Sequence, residues 1–109
     1  MTDDLYIVTT VPESHVDAVL DAIASAGGGQ IGSYTHCAFT NIGRGRFKPA
    51  EDANPHVGMV GQINAVDEWR VETFCARSQG RAVVDAIRAA HPYEQPVIYV
   101  IPLLDIDAL

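Results

Sequence analysis

The sequence contains no long apolar run. The longest, from Val97 to Ile101, is far shorter than the roughly 20 residues that a membrane-spanning helix needs. The chain opens on Met1 without a basic stretch ahead of an apolar segment, so no secretory signal peptide is expected. These absences predict a cytoplasmic protein that has no membrane partner.

Positive charge and cysteine are both scarce. The chain has 7 Lys and Arg against 14 Asp and Glu, which gives a net charge of -7. Binding to a nucleic-acid backbone depends on clustered positive charge, so a nucleic-acid partner is not expected. Two cysteines, Cys37 and Cys75, are too few for a disulfide framework, and we expect a buried thiol at each position.

The chain does have enough apolar sequence for one core. It has 109 residues, of which 48% are hydrophobic and 19% are charged, and this composition is typical of a globular domain. A chain of this length buries on the order of 65% of its unfolded surface, which suffices for one core and not for two. We therefore predict a single domain over residues 1–109.

Apolar periodicity predicts the order strand, helix, strand, strand, helix, strand. The predicted strands span residues 5–11, 33–41, 66–75 and 96–103. Apolar spacings of three and four residues predict one helix between Pro12 and Gly27 and another between Ser78 and His91. The glycines and prolines of residues 42–65 predict a long loop or a hairpin arm between the second and third strands.

This order is that of an α+β, ferredoxin-like βαββαβ fold, in which a four-stranded antiparallel sheet carries both helices on one face. The other face then has no covering layer. The outer strands are nonetheless apolar on both sides, since Tyr6 and Val8 alternate with Leu5 and Ile7. A monomer does not tolerate an exposed apolar patch of that size, so we predict that copies of the chain associate through the helix-free face.

Four segments together resemble one known module. The motifs are GQIGSYTHCAF at residues 29–39, GRGRFKP at 43–49, ANPHVG at 53–58 and AHPYE at 90–94. They are similar to the domain inserted in YqfO-type proteins of the Nif-three-like family, and the similarity runs from about Leu5 to Leu103. That domain resembles CutA and the PII signalling proteins. The resemblance therefore implies a CutA- and PII-like domain, here as a stand-alone chain, that forms a homotrimer.

The resemblance does not extend to catalysis. The dimetal site of the parent family is built by flanking domains that have no counterpart in this sequence, so the hydrolase activity is not carried over. The sequence also departs from the family pattern at two places. The residues around Tyr99 are apolar where the family tends to have an aspartate, and Met59 stands where an acidic residue is common. A site that depends on those acids is not implied.

His36 is the first candidate for a site. We predict that it lies on the second strand, on the helix-free face, beside Arg70 and Glu72 of the third strand. His36 and Cys37 are adjacent and point to opposite faces of a regular strand, so they cannot bind one metal ion together. The alternatives are a ligand site and a hydrogen-bonded cluster at a subunit interface.

The basic segment after the second strand is the second candidate. Arg44, Arg46 and Lys48 lie within five positions, beside Gly43 and Gly45. Glycine permits close backbone approach and arginine binds phosphate through two hydrogen bonds, so the segment predicts a small anionic ligand such as a phosphate or nucleotide. The spacing matches no known phosphate-binding motif. The alternative is an arm whose basic groups pair with acids of a neighbouring subunit.

The motif that begins at His91 is the third candidate. Pro92 ends the second helix, so we predict that His91 caps helix carbonyls and that Tyr93 packs with its hydroxyl group hydrogen-bonded. The alternative is a ligand pocket between subunits, lined by His91, Glu94 and the long loop.

These candidates predict a binding module. The sequence shows no Ser-His-Asp order, paired-carboxylate spacing or metalloprotease motif that would support catalysis. We expect an oligomer, a trimer by the resemblance, that binds a small molecule or anion in a regulatory role; its cofactor and any metal are unknown. The alternatives are a metal-binding protein or a relative of a metal-dependent hydrolase, and an assembly adaptor for a partner enzyme.

Overall fold

The computed structural model describes residues 3–109. This part of the chain contains strands and α-helices in the order that the sequence predicts. The elements are β1 Asp4–Val11, α1 Val16–Ser25, β2 Phe39–Phe47, β3 Asn64–Ala76, α2 Gly80–Ala90 and β4 Ile98–Pro102. Single turns of 3-10 helix lie at Glu13–His15, Arg77–Gln79 and Ile106–Ala108. No helix between residues 3 and 109 is long and apolar enough to cross a membrane.

The strands form one antiparallel sheet in the order β2-β3-β1-β4. β1 lies between β3 and β4, and Leu5 pairs with Cys75 on one side and with Pro102 on the other. β2 extends the sheet beyond β3 as one arm of a long hairpin. The arrangement confirms the predicted α+β, ferredoxin-like fold.

The core lies between the sheet and both helices, which cover the same face. Alternate residues of β1 and β3 point to that face, where they meet the apolar stripe of each helix. The buried residues of this cluster are Leu5, Ile7, Val11, Val71 and Cys75 from the sheet, and Val19, Ile23, Val83 and Ile87 from the helices. Full burial of one valine, leucine or isoleucine side chain contributes about 1.5–3 kcal/mol, so this cluster holds both helices in place.

The second strand begins later than predicted. The prediction placed it at residues 33–41, whereas Phe39 is the first residue of β2. The backbones of Ile31 and Tyr34 bond to each other and close a turn before the strand. His36 has a φ of 59°, which lies outside strand geometry. The chain therefore cannot enter the sheet until after this residue.

The segment between β2 and β3 was predicted to be a long loop or a hairpin arm at residues 42–65. The structure has a hairpin here, with its irregular loop at residues 48–63. The glycines of β2 were interpreted as loop signals. They lie on an edge strand that pairs with β3 along its whole length, and this pairing outweighs the weak strand preference of glycine.

Gly29 ties the turn after α1 to the sheet. Its φ is 67°, and a Cβ at this position would come within 2.7 Å of the Cys37 carbonyl oxygen. The Gly29 N–H donates to the Phe74 carbonyl on β3, and its carbonyl accepts from the Cys37 N–H, each over 2.8 Å. The Thr73 hydroxyl donates to the Cys37 carbonyl, also over 2.8 Å. A side chain at Gly29 would break this set of contacts.

The sheet face opposite the helices exposes large apolar side chains. Phe39 is 66% exposed, Tyr99 61% and Ile101 50%. The strand register places all three on the face that the helices do not cover. Other exposed apolar residues on and after β4 are Val100, Leu103, Leu104, Ile106 and Leu109. Within residues 3–109, this surface has no second layer.

Replacement of Ile7 by alanine tests the assigned core. Ile7 is fully buried on the central strand, so Ile7→Ala leaves a cavity and lowers the free energy of unfolding by about 2–5 kcal/mol. Urea unfolding, followed by circular dichroism at one fixed protein concentration, measures the loss. The control is Ile106→Ala, because Ile106 is exposed and its truncation changes the free energy by about 0.5 kcal/mol or less. Equal losses in the two variants would contradict the assignment.

Candidate functional site

A cleft of about 720 Å³ opens at one end of the sheet. Its lining crosses all four strands, from Gly43 on β2 through Glu68 on β3 and Thr10 on β1 to Tyr99 on β4. The loop between β2 and β3 and the segment between α2 and β4 form the other walls. A cavity of this size falls in the range of sites that hold small organic ligands.

Most of the predicted site residues lie at this cleft. Its lining includes Arg44, Arg46, Lys48, Arg70 and Glu94. Two further candidates lie next to lining residues, since Glu72 contacts Arg70 and His91 packs against Tyr93. The structure therefore brings the basic segment of β2 and the motif after α2 to one place.

Glu68 is a buried acid in the cleft. Only 7% of the residue is exposed, although its position on β3 faces the helix-free side of the sheet. Its partner across the strands is Gly43. A Cβ added to the neighbouring Gly45 would overlap the Glu68 carboxylate. The absence of a side chain at Gly45 thus leaves the room that this carboxylate occupies.

The Tyr93 hydroxyl group is buried beside Glu68. We predicted that this hydroxyl finds a hydrogen-bond partner; among residues 3–109 it makes no hydrogen bond of regular geometry, although the Glu68 carboxylate lies close enough to raise its pKa. Burial raises the pKa of Tyr93, and the Glu68 carboxylate raises it further. The phenol therefore keeps its proton near neutral pH and can donate or accept a hydrogen bond.

His91 lies beneath the cleft and is neutral. Its Nδ1 accepts the Tyr93 N–H over 3.2 Å, so the ring proton is on Nε2, which donates to the Thr10 carbonyl over 2.7 Å. Burial lowers the pKa of His91 below its usual 6.5. We predicted that the His91 side chain caps helix carbonyls. This is wrong, because its acceptor is the Thr10 carbonyl of β1. His91 fixes the start of the segment between α2 and β4 against β1.

The basic residues at the cleft differ in their partners. Arg44 Nε lies 3.3 Å from Oδ1 of Asp67, which pairs with it across the strands. Arg46 and Lys48 make no side-chain hydrogen bond or ion pair with any residue that the structure describes. These two groups therefore remain available to an anion.

Arg70 forms an ion pair with an acid on its own strand. Its Nη2 lies 2.5 Å from Oε1 of Glu72, and the Tyr6 hydroxyl donates to the same oxygen over 2.6 Å. This cluster lies on the helix-free face, next to the cleft. The pairing holds Arg70 in position and offsets much of its charge.

His36 is not part of this cluster. We predicted that it lies beside Arg70 and Glu72, and this is wrong. The positive φ of His36 places it in the irregular segment before β2 and not in the strand itself. Its Nε2 lies 3.0 Å from Oδ1 of Asp21 on α1, and its Nδ1 lies 3.0 Å from the Thr35 hydroxyl. His36 is thus an exposed residue that links the turn to the helix layer.

The two cysteines have different environments. Cys75 is buried in the core as predicted, and burial raises the pKa of its thiol. Cys37 was also expected to be buried, but it is only half-buried because it lies in the turn before β2. Its Sγ lies 3.9 Å from the Thr35 carbonyl oxygen.

The loop between β2 and β3 contacts the segment after α2 at two points. The Asn54 N–H donates to Glu94 Oε1 over 3.1 Å. The ring of His56 lies 6.0 Å from the ring of Tyr93 and 6.1 Å from that of His15, measured between centroids.

Across residues 3–109, no group of three or more His, Cys, Asp or Glu side chains is placed to hold a metal ion.

Sequence reasoning missed three residues near the cleft. Glu68 was not among the predicted site residues, because its burial depends on the room beside Gly45 on the neighbouring strand. His15 and His56 come from distant parts of the chain, and no local spacing links them. Their proximity depends on how the loop between β2 and β3 packs against the segment that precedes α1.

The chain has relatives among curated proteins, although no protein-family model matches it. It is 42% identical over 103 residues to the GTP cyclohydrolase 1 type 2 homolog of Halalkalibacterium halodurans, covering 94% of this chain and 28% of that protein. It is 41% identical over 93 residues to the homolog of the same name from Bacillus subtilis, covering 85% of this chain and 25% of that protein. The chain thus spans about a quarter of the length of these relatives.

Solved structures show the same similarity. A Bacillus cereus protein related to NIF3 superimposes with a TM-score of 0.82 at 38% identity, covering 95% of this chain and 26% of that one. CutA1 from Pyrococcus horikoshii superimposes with a TM-score of 0.69 at 17% identity, covering 94% of this chain and 85% of that one. The second likeness shows the fold alone. The comparisons confirm the resemblance inferred from the sequence motifs.

The lowered pKa of His91 predicts a loss of stability in acid. The unfolded chain binds a proton at His91 more readily than the folded chain, so the free energy of unfolding falls as the pH drops below 6.5. His91→Gln removes the titrating group and should narrow the difference in unfolding free energy between about pH 8 and about pH 5. Urea unfolding at the two pH values measures this difference.

The control for this test is His36→Gln. His36 is exposed and remote from the contacts that bury His91, so this variant should keep the wild-type difference. A His91→Gln protein that loses as much stability in acid as the wild type would refute the assignment.

Proposed function

We propose, since the chain is homologous to a CutA-like segment of NIF3-related proteins, that it acts as an oligomeric binding module for a small anionic ligand. The assembly that we propose is a homotrimer, and the ligand acts as a regulatory signal. The cleft with its unpaired Arg46 and Lys48 is the observation that carries the proposal. The proposed location is the cytoplasm, in keeping with two free thiols.

The exposed apolar surface supports the assembly. Each large side chain left in solvent forgoes about 1.5–3 kcal/mol relative to burial. Phe39, Tyr99 and Ile101 share the helix-free face, and β4 is an edge strand whose outer backbone groups are free to pair. A closed ring of copies would cover this surface on every subunit and leave no copy exposed.

The charge of the cleft supports an anionic ligand. The chain is acidic overall, yet four basic residues line this one cavity: Arg44, Arg46, Lys48 and Arg70. Two of them are paired with acids, and two are not. A local excess of unpaired positive charge on an acidic protein attracts a small anion by Coulomb interaction.

Other functions fit the chain less well. The relatives are named as homologs of a cyclohydrolase, and one structural neighbour is the periplasmic divalent cation tolerance protein CutA from Archaeoglobus fulgidus. The chain covers about a quarter of the former and shares only the fold with the latter, so neither activity is proposed for it. An assembly adaptor for a partner enzyme is the remaining alternative, and it predicts assembly without ligand binding.

Replacement of Ile101 by aspartate tests the assembly. Size-exclusion chromatography with light scattering should give three times the mass of one chain for the wild type. Ile101→Asp places a charge on the helix-free face and should shift the mass to that of one chain, because burial of an unpaired charge is strongly unfavourable. Ile31→Asp is the control, since Ile31 is exposed on the turn after α1. A monomeric wild type would overturn the proposed assembly.

The double variant Arg46→Gln with Lys48→Gln tests the anion site. Isothermal titration calorimetry with inorganic pyrophosphate at low ionic strength should detect binding to the wild type, weakened about tenfold or more in the double variant. The control is Arg81→Gln with Arg88→Gln, which removes the same charge from exposed positions on α2. If the wild type gives no heat, or if both double variants bind equally weakly, the anion site is refuted.

A further inference from the structure

We propose that the ligand of this cleft is an aminated anion, a small molecule with an N–H donor group at one end and an anionic group at the other. The donor group binds Glu68 and Tyr93, and the anionic group binds Arg46 and Lys48. This inference rests on the proposed function and adds the chemical class of the ligand.

Glu68 supplies the first argument. Glu68 is 93% buried as a residue and forms no ion pair, and a buried carboxylate is costly unless a hydrogen-bond donor meets it. The Tyr93 hydroxyl lies beside Glu68, but it makes no hydrogen bond of regular geometry among the residues that the structure describes. Both polar groups line the cleft, so a ligand that enters it reaches both. An N–H group satisfies the carboxylate as a donor and can also donate to the phenol oxygen.

The separation of charge in the cleft supplies the second argument. The lining holds unpaired bases on and just after β2 and a buried acid on β3. An anion without a donor group would gain from Arg46 and Lys48 but would be repelled by Glu68 if it filled the cavity. A simple cation would be attracted by Glu68 but repelled by Arg46 and Lys48. A molecule that carries both kinds of group satisfies both ends at once.

The walls of the cleft supply the third argument. Phe47, Val97 and Tyr99 line it together with Pro49 and Val57, so apolar surface lies among the charged groups. The volume of about 720 Å³ exceeds what inorganic phosphate or a simple ammonium ion needs. The cleft therefore suits a ligand with an apolar or aromatic body between its two polar ends.

Matched pairs of probes test the donor group. One pair is 2-aminoethyl phosphate and ethyl phosphate; the other is AMP and purine riboside 5′-monophosphate. In each pair the two molecules carry the same phosphate and differ in one amino group. Calorimetric titration of the wild type should show that the aminated member binds about tenfold more tightly, in line with a hydrogen bond to a charged group.

Two variants assign that preference to the named side chains. Glu68→Gln and Tyr93→Phe should each reduce the preference for the aminated member to about threefold or less. Thermal unfolding of each variant checks that it folds, and Tyr93→Phe removes only a hydroxyl group that has no partner within residues 3–109. Glu13→Gln is the control, because it removes the same charge from an exposed position in the turn before α1 and should keep the wild-type preference.

The outcomes separate this inference from the proposed function. Equal binding of the two members in both pairs, or no binding of either pair up to about 10 mM, overturns the aminated ligand. If pyrophosphate still binds and the variant at Arg46 and Lys48 still weakens it, the anion-binding function stands. If pyrophosphate also fails to bind, both proposals fall. A preference that survives in both Glu68→Gln and Tyr93→Phe shows that the donor group binds elsewhere.

Discussion

Both helices pack on the same face of the sheet, and the rest of the molecule is organised around the face that they leave open. The core is complete on the helix side, where Ile7, Val71 and Ile87 are fully buried. On the other side, Phe39 and Tyr99 remain in solvent. The same open face contributes strand residues to the cleft, and Tyr99 belongs to both surfaces. The exposed apolar surface and the cleft therefore share one side of the sheet, and Tyr99 is a residue they have in common.

The cleft holds opposite charges that do not pair with each other. Glu68 lines the same cleft as Arg46 and Lys48, yet it forms no ion pair with them. Room for the acid comes from Gly45 on the neighbouring strand, and the acid has no ion-pair partner of opposite charge. Such an arrangement adds little to the stability of the fold, since an unpaired buried carboxylate is unfavourable. In our proposal, the ligand supplies the hydrogen-bond donor that Glu68 lacks.

The sequence predicted the parts of the fold that depend on local periodicity. The alternation in β1 and β3 and the apolar stripes of α1 and α2 placed these elements correctly, because each pattern reports a buried face. The predicted position of β2 was too early in the chain. The glycines of this strand are typical of a loop, and its strand geometry depends on pairing with β3. The positive φ of His36 had no signal in the residue type.

The candidate site was predicted only in part, because local sequence patterns do not report contacts between distant segments. The basic segment of β2 and the motif that begins at His91 were identified from composition and from the helix stop. A pocket lined by His91, Glu94 and the long loop was predicted as an alternative, but between subunits. Their convergence within one chain depends on contacts between distant segments such as Asn54 with Glu94. Glu68 and His56 were missed, since the burial of one and the ring contacts of the other exist only after the chain folds.

The position of β1 in the sheet also constrains when the fold can form. β1 is the first strand in the chain, but its partners β3 and β4 are the third and the last. On the ribosome, Leu5 and Ile7 must therefore wait until residues 64–76 have emerged before they find a strand to pair with. Contacts between residues so far apart slow folding. The nascent β1 is thus an apolar segment that a chaperone would meet early in synthesis.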